Sequence, residues 1–281
     1  MALLTPTESS NTRTFSDFNG GLANLLIPVT HVIFDLDGTL IDTESCYKDA
    51  ANAVTMRLMN KEFTWKNKSD LMKTNLRKNS ALIVEKFGLP LSPQKFYNEV
   101  MSEFAKLIKN VPFMPGAEKI VKYFHRQRIP LALCTASANE SFQVKISHFG
   151  DFFSPGKYFD VIVIAGNNSE IKRNKPAPDP YLFTMSKFAN PPLKSENVLV
   201  FEDSVDGVNS AIAAGAQCVM VPDTRVDNEN ATSKATLVLK SLEQFDPKLF
   251  SLPSFSLGVN KSANIITVLL SMFISIALFK V

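Results

Sequence analysis

Cysteine is scarce in this chain. The three present, Cys46, Cys134 and Cys218, lie far apart in 281 residues. That spacing excludes a disulfide framework and the paired thiols of a zinc site. They read as small buried hydrophobes in a reducing compartment. Histidine is equally thin: His31, His125 and His148 cluster with nothing in the sequence and read as packing or surface residues. A dense basic run with interleaved aromatics is also missing, and the net charge is only +3, so nucleic acid is not an expected partner. Residues 1–29 hold no sustained apolar stretch and carry Glu8 and Asp17. This argues against a secretory or transit peptide, and the segment reads as a flexible arm.

What the chain does have is apolar runs of strand length. "HVIF" (31–34), "IPLALC" (129–134), "FDVIVI" (159–164), "NVLVF" (197–201) and "AQCVMV" (216–221) alternate with helix-like stretches such as 116–128 and 206–215. Near-continuous apolar strands separated by helices predict an α/β fold. Its core is a Rossmann-like parallel sheet with helices on both faces. Between about Thr43 and Phe113 the rhythm breaks: only helical periodicity is found there, in "ESCYKDAANAVTMRLM", "NSALIVEKFG" and "SPQKFYNEVMSEFAKLIK". The expected organisation is an arm (1–29), an α/β core (30–42 and 114–250), an inserted all-helical cap (43–113) and a C-terminal extension (251–281). The two connections, near 39–43 and at "FMPGA" (113–117), carry turn residues suited to a hinge.

In open parallel sheets, ligands sit beyond the carboxyl ends of the strands. The first predicted strand ends in Asp35 and Asp37, the second in Thr135; Lys175 follows the third, and Glu202 and Asp203 end the fourth. Asp35 and Asp37 share one face unless the chain has turned, and Gly38 permits a turn there. Like charges about 4 Å apart repel by on the order of 4 kcal/mol at an effective dielectric near 20. Four carboxylates therefore require a cation, and Lys175 alone is too little. Hard oxygen ligands that stop short of enclosing the ion suit Mg²⁺ with a substrate phosphate beside it.

The motifs "FDLDGTLIDTE", "LCTAS", "NKPAPDP" and "VFEDSVDGV" stand in the order characteristic of the haloacid dehalogenase superfamily of phosphotransferases, which the chain resembles. The resemblance implies that Asp35 is the nucleophile and Asp37 the general acid and base. It implies that Thr135, Lys175 and the backbone of Leu36 and Asp37 hold the phosphoryl oxygens. Mg²⁺ would take Asp35, the Asp37 carbonyl and Asp203, with Glu202 holding a coordinated water. Counting a phosphate dianion, Mg²⁺, Lys175 and a protonated Asp37 leaves about −2, which backbone N–H groups around 36–38 and helix N-termini are expected to offset. Asp206 reads as a solvated helix-start residue, and Asp42 and Glu44 as facing the hinge or solvent.

Over residues 29–254 the chain is more specifically similar to the pseudouridine-5′-phosphatase-like group and its glycerol-3-phosphate phosphatase relatives, which carry a β-phosphoglucomutase-type cap. Thr39, Ile41, Lys73 and "GNNSE" (166–170) depart from that group, and Lys73 puts a charge where its members place glycine against the substrate. The implied activity is a phosphomonoesterase on a small sugar- or nucleotide-type phosphate, with pseudouridine 5′-phosphate as leading candidate. Glycerol 3-phosphate and a phosphomutase reaction are alternatives. A non-enzymatic membrane-tethered scaffold is the remaining one, disfavoured by retention of every site residue. Beyond Phe255, residues 263–279 are uncharged and largely apolar between Lys261 and Lys280. They read as a C-terminal membrane anchor, which would leave the catalytic domain in the cytoplasm, with a helix docked on the protein itself or binding a partner, or a floppy tail, as alternatives.

Overall fold

The computed structural model describes residues 26–71, 76–225 and 234–255. Six parallel strands form one sheet: β1 (His31–Phe34), β2 (Leu131–Thr135), β3 (Val161–Ile164), β4 (Val198–Glu202), β5 (Gln217–Met220) and β6 (Leu237–Val238). Their order is β3-β2-β1-β4-β5-β6, with β1 central between β2 and β4. Five of the six coincide with the apolar runs; β6 is a two-residue strand that the sequence pattern does not announce.

The strands separate their side chains by parity, as the pleat requires. Val32, Phe34, Leu131, Leu133, Leu199, Phe201 and Val219 belong to one buried cluster. Ile33, Ala132, Cys134, Val198, Val200, Cys218 and Met220 belong to the other. Helix α5 (Ala117–Arg126) serves the first layer through Ile120, Val121 and Phe124. Phe124, Phe34, Phe201 and Phe245 form a packed aromatic group there, with Phe34 and Phe201 stacked at 4.6 Å. Helices α7 (Asp179–Lys187) and α8 (Val205–Ala213) cover the second layer through Tyr181, Met185, Val208 and Ala211. A further helix, α6 (Asn139–Ile146), follows β2. All three cysteines are buried and free.

Between β1 and α5 come α1 (Thr43–Met59), α2 (Trp65–Leu71), α3 (Leu76–Phe87) and α4 (Pro93–Leu107), with no strand among the described residues there. Their apolar faces meet through Ala50, Val54, Ile83, Phe96, Val100 and Phe104. The chain leaves for these helices and returns side by side. Asp42 N–H donates to the Pro112 carbonyl at 2.9 Å, Met114 N–H to the Leu40 carbonyl at 2.9 Å, and Ile41 bridges Phe113.

At the other end of the core, Leu26 N–H donates to Leu249 and Val29 N–H to Phe250. Residues 1–25 of the expected arm, Lys73, and the apolar segment 263–279 lie outside the described residues. Among the described residues, no helix is long and apolar enough to cross a membrane.

Candidate active site

The topology sends β1, β2 and β3 to one side and β4, β5 and β6 to the other, so the crevice opens at the carboxyl end of β1. Asp35 lies one residue past β1 and is 6% exposed. Its Oδ1 accepts from Lys175 Nζ at 2.6 Å. The same ammonium donates to Glu202 Oε1 at 2.7 Å and to the Cys134 carbonyl at 3.1 Å. Lys175 is therefore the bridge between the ends of β1, β2 and β4.

Glu202 is fully buried, and protein donors satisfy both of its oxygens. Tyr181 O–H joins Lys175 on Oε1 at 2.6 Å, while Ser204 O–H reaches Oε2 at 3.1 Å and Asp203 N–H reaches it at 3.2 Å. Helix α8 can start this close only because residue 207 is glycine. A Cβ there would stand 1.8 Å from the Glu202 carboxyl carbon. Gly38 does the same for Asp203: at φ +80° it turns the chain after Asp37, and a Cβ would fall 2.1 Å from Asp203 Oδ2.

Asp35, Glu202 and Asp203 bring one carboxylate oxygen each within 4.8 Å of one another. Burial first, then Glu202 and Asp37, push the Asp35 carboxyl up to about 7 against the pull of Lys175. Burial, Glu202, Asp35 and Glu44 hold Asp203 well above the ordinary range. For Lys175, burial works against the charge, but Asp35 and Glu202 outweigh it and the ammonium titrates well above its usual value.

Asp37 faces the other way, toward the loop after β2. Its Oδ2 accepts from Ser137 O–H at 2.8 Å and from Thr135 O–H at 3.4 Å. Its Oδ1 is ion-paired with Lys145 Nζ at 2.6 Å. Lys145 comes from α6, is 4% exposed, and also donates to Ser137 Oγ at 2.8 Å.

The arrangement brings together every side chain expected at the site: Asp35, Asp37, Thr135, Lys175, Glu202 and Asp203. Ser137, Lys145 and Tyr181 were not among the expected residues. Lys145 had one sequence signal. It follows Phe142 by three residues on the same helical face, and Phe142 is buried. Glu44, read as hinge or solvent, instead pairs with the buried Lys68 of α2 and adds its charge near Asp203. Asp42 sits in the connection that leads into the inserted helices, where it caps α1. Asp206 is exposed in the first turn of α8, as expected.

The donor set fits a hard divalent cation. It consists of oxygen atoms only, two of the carboxyls are pushed up by burial and by their neighbours' charge, and the charges do not balance without one. Four carboxylates face two ammonium groups, Lys175 and Lys145, an excess of two negative charges that one divalent ion cancels.

Comparison with known proteins gives a consistent result. Residues 32–221 match the haloacid dehalogenase-like hydrolase family. A probable pseudouridine-5′-phosphatase of Drosophila melanogaster is 36% identical over 232 residues, covering 83% of this chain and 98% of that protein. A (DL)-glycerol-3-phosphatase 2 of Arabidopsis thaliana is 35% identical over 229 residues, 81% of this chain and 93% of that one. Among solved structures, a putative beta-phosphoglucomutase from Thermotoga maritima superposes with a TM-score of 0.62 at 26% identity, covering 79% of this chain and 97% of that one.

Proposed function

Because this chain belongs to the haloacid dehalogenase-like hydrolase family, we propose that it is a Mg²⁺-dependent phosphomonoesterase working through an aspartyl phosphate on Asp35. The observation that carries this reading is the division of labour between two carboxylates two residues apart. Asp35 is turned into the cationic grip of Lys175, beside Glu202 and Asp203. Asp37 is held away from it by Ser137 and Lys145. Neighbouring carboxyls in unlike environments are how one site supplies both a nucleophile and a proton carrier.

In the first half-reaction, an Asp35 oxygen forms a bond to phosphorus as the bond to the leaving oxygen breaks, and Asp37 gives that oxygen its proton. In the second, Asp37 takes a proton from water, whose oxygen bonds to phosphorus as the bond to Asp35 breaks. Lys175, Thr135 and the backbone of Leu36 and Asp37 hold the phosphoryl oxygens. Asp35, the Asp37 carbonyl and Asp203 would hold Mg²⁺, which when bound neutralises the acidic nest and the phosphoryl charge. Glu202 stands behind that shell and fixes Lys175. Helices α1–α4 act as a cap, and the paired connections at 40–42 and 112–114 serve as its hinge, excluding water from the phosphoenzyme.

The substrate class is a small sugar- or nucleotide-type phosphate. Pseudouridine 5′-phosphate leads, supported by the Drosophila relative; glycerol 3-phosphate is the rival, supported by the Arabidopsis one. Release of inorganic phosphate from a monoester panel, with and without Mg²⁺, ranks the substrates. Turnover without any sugar bisphosphate excludes a mutase. Asp35→Asn should remove turnover entirely with an unchanged circular dichroism spectrum. Full activity in that variant would overturn the assignment.

A further inference from the structure

Lys145 is a charged residue in a place where charge is costly. Its side chain is buried in α6, a helix that supplies none of the expected motif residues, and removing an ammonium from water costs several kcal/mol unless it is paired and hydrogen-bonded. Its partners are Asp37 Oδ1 at 2.6 Å and Ser137 Oγ at 2.8 Å.

The hydrogen-bond directions follow from the groups themselves. A lysine ammonium only donates, so Ser137 Oγ accepts from Lys145, and its own proton goes to Asp37 Oδ2 at 2.8 Å. Thr135 Oγ1 accepts the Ser137 N–H at 3.1 Å, which turns its proton toward the same Oδ2 at 3.4 Å. Asp37 Oδ2 is thus held by hydrogen bonds that begin at Lys145, while Oδ1 accepts no hydrogen bond and is held by the Lys145 ion pair alone. One oxygen is gripped directly and the other through Ser137, so the plane of the carboxyl group is set.

We propose that Lys145 is a positioning residue for Asp37, acting directly on one carboxylate oxygen and through Ser137 on the other, so that the carboxyl meets the leaving oxygen in line. This deepens the phosphatase reading and rests on it. The step it serves is the departure of the leaving group, in which the P–O bond breaks and the Asp37 proton goes to the departing oxygen. Lys145 itself transfers nothing.

A residue with this role affects esters according to how much their leaving group needs a proton. Phenyl phosphate and 4-nitrophenyl phosphate are nearly the same size, but 4-nitrophenolate leaves readily without protonation and phenolate does not. The measurement is kcat/KM for both esters, which reports the first half-reaction, in full-length wild type, Lys145→Met, Lys145→Arg and Ser137→Ala. General acid catalysis is worth roughly 10²–10⁴-fold. Misplacing the acid in Lys145→Met should therefore cost about 10- to 100-fold on phenyl phosphate and about threefold or less on 4-nitrophenyl phosphate. Lys145→Arg should recover part of the loss. Ser137→Ala should show the same bias more weakly, and it carries the test if Lys145→Met fails to fold.

Equal losses on both esters in Lys145→Met and Ser137→Ala would overturn the positioning role and leave Lys145 as a packing or phosphate-binding group. A wild-type protein that releases phosphate from neither ester, or an Asp35→Asn variant that still does, would instead sink the phosphatase reading.

Discussion

Replacing Asp203 by asparagine removes one charge from the acidic nest at nearly constant shape, and the metal-free fold should gain from it. At a separation of 4.8 Å, the bound on the oxygens of Asp35, Glu202 and Asp203, each ionised pair repels by about 3.5 kcal/mol at an effective dielectric near 20. That cost has a ceiling, because the carboxyl can take up a proton instead. Keeping a proton at pH 7 on a group whose ordinary value is 3.8 costs at most about 4 kcal/mol, at roughly 1.4 kcal/mol per pH unit. Asp203 retains part of its surface in water, which screens about half of this. The expected gain at pH 7 in EDTA is therefore about 2 kcal/mol, or roughly 4–8 °C in Tm for a domain of this size.

The pH dependence has a definite sign. A carboxyl raised in the folded state destabilises the fold only above its unfolded value, so the gain should vanish near pH 4 and grow as the pH rises. Saturating Mg²⁺ should reverse the order if, as proposed, Asp203 is a ligand that the variant has lost. Thermal unfolding followed by circular dichroism at about pH 4.5 and pH 7, in EDTA and in Mg²⁺, separates these cases. A variant no more stable than wild type at pH 7 in EDTA, or one stabilised equally at both pH values, would refute the crowded-carboxylate account.

Two further substitutions test how the site is framed. Gly207→Ala places a methyl group 1.8–2.0 Å from the Glu202 carboxylate. It should cost about 1–3 kcal/mol in a urea titration and displace Lys175, with a large fall in turnover; a stable and fully active variant contradicts the packing described. Arg225 donates to both oxygens of Asp42 at 2.8–2.9 Å and to Asp223 at 2.8 Å, and lies 4.1 Å over the ring of Trp65. Arg225→Met should cost about 1–3 kcal/mol near neutral pH and alter the fluorescence of Trp65, the only tryptophan. Burial raises the Asp42 carboxyl, but its bonds from Arg225 and Ser45 hold it below the ordinary range. The penalty should therefore shrink as the pH falls through the titration of Asp42; a pH-independent loss would show that the ion pair does not carry it.

The sheet was legible because a strand buried on both faces must be almost wholly apolar, and five such runs stand out in this chain. Helices α2, α6 and α7 were not, for reasons of length and partner. They have seven to nine residues and, unlike the equally short α8, carry no marked alternation of polar and apolar faces; α7 also begins inside a proline-rich turn. The site divided along the same line. Asp35, Asp37, Thr135, Glu202 and Asp203 lie at strand ends, where the topology alone sends them to one edge. Lys145 and Tyr181 reach that edge from the sides of the unread helices; only the three-residue spacing from Phe142 marks Lys145, and nothing in its local sequence separates Tyr181 from a core residue.

The consequence is visible in the charge balance. With Lys175 as the only cation counted, the expected site carried about two negative charges too many once phosphate and Mg²⁺ were in place. That excess was assigned to backbone N–H groups and helix ends. Lys145 halves it with a full charge placed on Asp37 rather than spread over the phosphate. A backbone dipole can favour an anion wherever it lies at a helix end, whereas a buried ammonium 2.6 Å from one oxygen fixes which carboxylate it serves. The helix after β2 therefore does more than cover the sheet: it holds Asp37, the proposed proton carrier, while the strand end beside it presents Asp35, the proposed nucleophile.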